Sequence, residues 1–304
     1  MRAEAYAKVN FTLEVFGKRA DGYHALRSVV MPISLSDTLD IEVTDDGEIT
    51  SDTGYDDDLC VKAAKILRSV QCAGETPAPP KRDAVPWGGA VSDALSERNC
   101  ILGARIRVAK RIPAGGGLGG GSADAATVLR ALNELWKVGL SREELAEVGA
   151  QVGSDVPALV FGGPVIMEGR GEKVSQIEHS EHSNINLVLV NPGVHSSTKE
   201  VYAACEPRPL DGVNATARMV EALGSGNPEG IAAALMNDLQ APAVKQHPEI
   251  ADALVSLRTA GVIGAMMSGS GSSVFGIVWD AAEAERISSE MNARGYKAWP
   301  VQTL

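Results

Sequence analysis

Residues 112–126 read IPAGGGLGGGSADAA, with six glycines in the seven positions from Gly115 to Gly121, interrupted only by Leu118. A short alternating run, Ala104-Arg-Ile-Arg-Val-Ala-Lys110, precedes the glycines. An amphipathic pattern follows from Ser122 to Trp136, with Val128, Leu129, Leu132, Leu135 and Trp136 on one face. The order is therefore strand, glycine loop, helix N-terminus, with Ser122 expected as the N-cap. Glycines let successive backbone N–H groups converge with no side chain in the way. A helix N-terminus adds unpaired N–H donors and a partial positive charge. Together they form a cradle for an anion, above all phosphate.

Better-known glycine loops fit less well. No Gly-Lys-Ser/Thr follows, so this is not a Walker A loop. The run matches G-x-G-x-x-G at Gly115, Gly117 and Gly120, but a dinucleotide fold places an acidic residue about 20 positions further on, closing a second strand. Here a second helix starts instead, at the capping box Ser141-Arg-Glu-Glu144.

A chain of 304 residues can bury a sizeable core and divides into two domains, expected at 1–163 and 164–304. The net charge of −11 argues against nucleic acid or an anionic membrane as partner, while leaving a phosphorylated small molecule open. No apolar run reaches the length of about 18 residues that spans a bilayer. MRAEAYAKVNF lacks the apolar core of a signal peptide, so a cytoplasmic protein is expected. Cys60, Cys72, Cys100 and Cys205 form no C-x-x-C pair and read as reduced and structural. His179 and His182 read as part of a solvated turn.

Along the chain, residues 5–16 alternate. Ala5, Ala7, Val9, Phe11, Leu13 and Val15 share one face; Lys8 and Asn10 lie on the other, which reads as solvated. A turn with Asp21-Gly22 at its tip delivers Tyr23 and His24. Strands are expected over 29–39 and 39–43, then a hairpin and loop over 44–58, and a helix over 59–70 after Asp58. Residues 73–98, with Pro77, Pro79, Pro80 and Pro86, read as a long loop containing Trp87. Asp155 lies between helix-stopping Gly153 and Pro157, at a new helix start. A carboxylate there reads first as a cap, but beside a phosphate cradle and a lysine it can accept a proton from an attacking hydroxyl. A hairpin over 165–177, a strand over 185–190 and helices over 214–223, 228–239 and 248–260 follow. A second glycine-rich turn at 264–278, a helix over 281–294 and a strand over 298–301 complete an α+β pattern.

Three stretches, AYAKVNFTL at 5–13, PAGGGLGGGSADA at 113–125 and SGSGSSVFG at 268–276, stand in an order that resembles the GHMP small-molecule kinases. KVNFTLEVFGKRADGYHAL at 8–26 and GSDVP at 153–157 sharpen the likeness, which covers nearly the whole chain. It implies an α+β fold of two domains, the first like domain 2 of ribosomal protein S5, the second ferredoxin-like. It implies ATP as donor, held by Pro113, Ala114, Gly115, Gly116, Gly117, Leu118, Gly119, Gly120, Gly121, Ser122 and Ala123, with magnesium at Ser122. Asp155 and Lys8 match the catalytic pair. Asn10, Tyr23, His24, Thr198 and Tyr202 match positions for a cytidine diphosphate-linked methylerythritol, with Tyr23 and Tyr202 sandwiching the cytosine. Ser268 to Ser273 would close over the substrate side. Asp58 stands where the family often has an asparagine near the adenosine.

Overall fold

A computed structural model describes residues 1–20, 22–73, 102–177, 184–209 and 214–304. Asp21, the expected loop beyond Ala73, Trp87, Cys100, His179 and His182 lie outside the described residues.

The first lobe is built on β3 (His24–Thr44), a single 21-residue strand where two were expected. It pairs antiparallel with β1 (Arg2–Asn10) and β2 (Thr12–Lys18). The alternating run 5–16 is thus two strands, broken at Phe11. Pro32 in β3 has no N–H to give the ladder, and the β1–β3 register slips between Tyr6 and Lys8. β4 (Ile49–Ser51) does not fold back as a hairpin. It pairs parallel with β5 (Gly103–Ala109), and α1 (Leu59–Ala73) lies between them in sequence. α2 (Gly120–Leu135), α3 (Arg142–Val152) and α4 (Val156–Phe161) cover one sheet face. The hairpin β6 (Val165–Gly169) and β7 (Lys173–Gln176) pairs through β6 with β3, so residues just past 163 extend the first sheet.

The second lobe is a four-stranded antiparallel sheet formed by β8 (Asn186–Asn191), β10 (Gly264–Met267), β11 (Val274–Ile277) and β12 (Lys297–Gln302). Their order, β10-β11-β8-β12, is that of a ferredoxin-like sheet. Between β8 and β10 run α5 (Thr198–Ala204), α6 (Ala215–Ser225), α7 (Pro228–Ala234), the short β9 (Met236–Asn237), α8 (Gln240–Gln246) and α9 (Pro248–Ala260). The helix expected over 228–239 therefore stops early, because Met236 and Leu13's neighbour Thr12 pair as strand. α10 (Ala281–Ala293) precedes β12.

The two lobes sandwich the β1–β2 run, which corrects its reading as half-solvated. Lys8, Asn10, Thr12 and Glu14 are as buried as the apolar face, because helices cover their side while Ala7, Val9 and Phe11 pack toward the second sheet. Each of these four has a hydrogen-bond partner. Glu14 accepts the N–H groups of Ala215 and Thr216 at the start of α6 (3.1 and 3.2 Å) and pairs with Arg208 (3.3 Å). Cys60 and Cys205 are buried free thiols. Cys72 is disulfide-bonded, against the expectation of four reduced cysteines.

Candidate active site

The glycine stretch forms a turn ahead of α2. Gly115, Gly117 and Gly119 take φ of +67°, +74° and +68°, while Gly116 and Leu118 between them do not. This alternation is the backbone geometry of an anion-binding nest. Gly119, not Ser122, precedes the helix, and it caps with no side chain. Ser122 thus sits inside the first turn, a correction that frees its hydroxyl from capping. The first helical bond runs from Ala123 N–H to Gly119 O (2.8 Å), so the N–H groups of residues 120–122 lack a helical acceptor. Leu118 is the loop's anchor: its side chain is buried, and its carbonyl takes the Lys8 N–H (3.0 Å).

Beneath the loop lies a charged strut that sequence reading missed. Asp37 Oδ1 accepts the N–H groups of Arg111 (2.5 Å) and Ile112 (2.8 Å), just before the glycines. Lys110 Nζ bridges Asp37 (2.5 Å) and Asp124 (2.7 Å) just after them. Burial, reinforced by the negative Asp37, pushes the Asp124 carboxyl up to about 6 against the pull of Lys110. Burial alone would lower the Lys110 ammonium, but its hydrogen bonds to Asp124 and Asp37 outweigh that and raise it.

Lys8 and Asp155 meet at the mouth of this cradle. Lys8 is 3% exposed, and its Nζ donates to Asn10 Oδ1 at 2.7 Å and stands 3.4 Å from Asp155 Oδ2. Asn10 Nδ2 in turn donates to Ser28 Oγ (2.8 Å). Asp155 occupies the N-cap position of α4 but makes no capping hydrogen bond, so its carboxylate is left facing Lys8 and solvent. A Cβ on Gly119 would come 3.1 Å from Lys8 Cε and 3.5 Å from Asp155 Oδ2, so the loop passes directly over the pair. The Ser122 hydroxyl faces the turn before Asp155, 3.9 Å from the place of a Cβ on Gly153.

The second glycine turn, Ser268–Ser273, interlocks with the first. Ser273 N–H donates to Gly116 O (3.1 Å), and Ser268 Oγ donates to Gly117 O (3.0 Å). Asn237, in the stretch misread as helix, donates from Nδ2 to Met267 O and Gly269 O (2.8 Å each) and so fixes this turn. A half-buried asparagine bonding two carbonyls some 30 residues away has no local signature.

On the other side of Asp155 stand the aromatic residues. His24 and Tyr202 stack with ring centroids 5.8 Å apart. Tyr23 is 55% exposed, and the Arg170 guanidinium lies 5.3 Å over its ring. The ring resting on Tyr202 is therefore that of His24. Burial and the nearby Asp155 charge push the Tyr202 phenol up, and burial with the Lys18 charge pulls His24 down. Thr198 Oγ1 lies 2.9 Å from Ser270 Oγ. Asp58 is committed to capping α1, accepting the Cys60 N–H (2.8 Å) and the Thr53 hydroxyl (2.6 Å).

A glycine nest beside a Lys–Asp pair, between an S5-like and a ferredoxin-like lobe, defines a class. Residues 87–163 match the GHMP kinases N terminal domain and residues 219–297 the GHMP kinases C terminal domain. The chain belongs to the GHMP kinase family, which comprises ATP-dependent small-molecule kinases. Within it, the chain is 36% identical over 316 residues to the 4-diphosphocytidyl-2-C-methyl-D-erythritol kinase of Symbiobacterium thermophilum, covering 100% of both chains. It is 39% identical to the enzyme of that name from Pelotomaculum thermopropionicum, covering 94% of this chain and 92% of the relative. A crystal structure of 4-(cytidine 5'-diphospho)-2C-methyl-D-erythritol kinase superposes with a TM-score of 0.77 at 30% identity, covering 100% of this chain and 99% of the other. Among the described residues, no helix is long and apolar enough to cross a membrane.

Proposed function

We propose that this chain phosphorylates a hydroxyl of 4-diphosphocytidyl-2-C-methyl-D-erythritol with ATP, giving the 2-phosphate and ADP in non-mevalonate isoprenoid precursor synthesis. The observation that carries this reading is the Lys8–Asp155 pair, 3.4 Å apart under Gly119 and within electrostatic reach of Tyr202. The names of its full-length relatives supply the acceptor.

In this reading the N–H groups of the nest and of the first turn of α2 hold the donor's phosphates. ATP, bound with magnesium, supplies the transferable phosphoryl group. The oxygens present suit magnesium, a hard cation that keeps phosphate and water ligands and takes few from protein. Ser122 would provide one. Among the described residues no three His, Cys, Asp or Glu side chains gather into a closed metal cage. Asp155 accepts the acceptor hydroxyl's proton as its oxygen attacks. Lys8, 3.4 Å from Asp155, holds that carboxylate in place and offsets charge developing at the transferred group. Such base assistance contributes about 100- to 10,000-fold, the remainder being positioning and electrostatics. Tyr23, His24 and Tyr202 receive the cytosine, with Thr198 and Asn10 near the alcohol.

The test is ADP release measured across cytidylylated methylerythritol, homoserine and mevalonate. Turnover confined to the first is expected; preference for either of the others overturns the acceptor assignment while leaving the kinase class intact.

A further inference from the structure

One side chain at the phosphate nest belongs to none of the roles assigned so far. His195 comes from the second lobe, in the segment between β8 and α5, and lies against the nest at Gly115. A Cβ built on Gly115 would meet His195 Cδ2 at 2.6 Å and Nε2 at 2.9 Å, so the imidazole edge fills the space beside that glycine. His195 is nonetheless solvent-exposed, as are Ala114 and Gly115 next to it. It therefore stands at the open rim of the nest.

Its backbone is held on both sides. The carbonyl of Val194 accepts the Ser272 hydroxyl. Ser196 Oγ donates to Ser270 O at 2.7 Å. Upstream, Asn191 joins Gly193 N–H (2.9 Å) to Ser273 Oγ (3.0 Å), and Ser273 N–H reaches Gly116 O (3.1 Å). The segment that carries His195 is thus joined to the first lobe's loop through the turn Ser268–Ser273. A ring N–H donor held at the rim of an anion cradle, in a chain of net charge −11, suits a phosphate group.

We propose that His195 is a nucleotide-binding residue, donating a ring N–H to a phosphate of the donor held in the glycine nest, so that the second lobe contributes to donor binding. This rests on the reading that the nest holds ATP, and the experiment separates the two. ADP and ATP affinities are measured by calorimetry for the wild-type chain and for His195→Ala and His195→Gln, with KM for ATP and for the acceptor measured in parallel. His195→Ala is expected to weaken ADP binding and raise the ATP KM by about tenfold, with acceptor KM and melting temperature unchanged. His195→Gln, which keeps an N–H donor, is expected to recover most of that loss. Equal ADP affinity in wild type and His195→Ala overturns the role of His195 alone, and equal loss in both variants overturns the N–H contact. A wild-type chain that binds neither nucleotide overturns the nest reading and this inference with it.

Discussion

Lys8 Nζ stands 3.4 Å from Asp155 Oδ2, joining the buried strand β1 to a helix start whose carboxylate caps nothing. A carboxylate at an N-cap that leaves the helix N–H groups unserved is spared for another partner. Asp155→Asn keeps the shape and removes the proton acceptor. It is expected to lower kcat by about 100-fold or more, with ADP affinity within a factor of about two of wild type. Single-turnover kinetics with calorimetry on the same variant checks this. Near-normal turnover would sink the role.

The interlocked glycine turns make a steric prediction. A Cβ on Gly117, at φ +74°, would lie 2.2 Å from Ser268 O and 3.0 Å from Gly271 O. Gly139 has a similar φ of +80° but nothing within 4 Å. Gly139→Ala should therefore cost only left-handed strain, about 1 kcal/mol, while Gly117→Ala costs about 2 kcal/mol or more and also weakens ADP binding. Urea unfolding of both variants separates strain from collision; equal losses would contradict the interlock.

Much of the site was readable from residues 112–126 and 153–157, because a glycine cradle and a helix start are local devices. The fate of Lys8 and Asn10 was not. Alternation places them opposite Val9 and Phe11, but whether that opposite face meets water depends on helices more than 100 residues away. Asn237 and the Asp37–Lys110–Asp124 strut were invisible for the same reason: each satisfies backbone or charge across distant segments. Ser122 was misplaced as a cap because the pattern of apolar residues starts later than the helix, whose first two residues are glycines.

Stacking makes the acceptor side separable from the donor side. Tyr202 lies under His24 and close enough to Asp155 for its phenol to feel that charge. Tyr202→Ala removes an aromatic surface for a base and is expected to raise the acceptor KM about tenfold with the ATP KM nearly unchanged. Tyr202→Phe should stay close to wild type. Steady-state kinetics with each substrate varied in turn decides the matter, and a matching rise in both KM values would count against a nucleobase platform.

Glu14 ties the lobes together. It is buried on β2 yet accepts two N–H groups and the Thr216 hydroxyl at the start of α6, and Arg208 bridges it to Asp238. Glu14→Ala strands those donors and loosens Arg208. A loss of about 2 to 3 kcal/mol in urea unfolding is expected, with a smaller loss for Glu14→Gln. A variant as stable as wild type would mean that the link carries no net stability.

Asp124 gives the stability a pH dependence whose sign can be fixed in advance. One of its oxygens, Oδ1, is buried with no hydrogen-bond partner, and burial raises its carboxyl from 3.8 to about 6. A raised carboxyl binds its proton more tightly folded than unfolded. Its contribution is therefore fully present below about pH 4 and is lost as pH rises toward about 6, by on the order of 3 kcal/mol. Hydrogen bonds hold the Asp46 and Asp58 carboxyls below their usual range and act in the opposite direction, so the comparison must be between wild type and Asp124→Asn. Relative to that variant, the wild-type unfolding free energy should fall between pH 4 and 6 and then level off. Parallel pH profiles for the two proteins would show that Asp124 is already ionised in the fold, held so by Lys110.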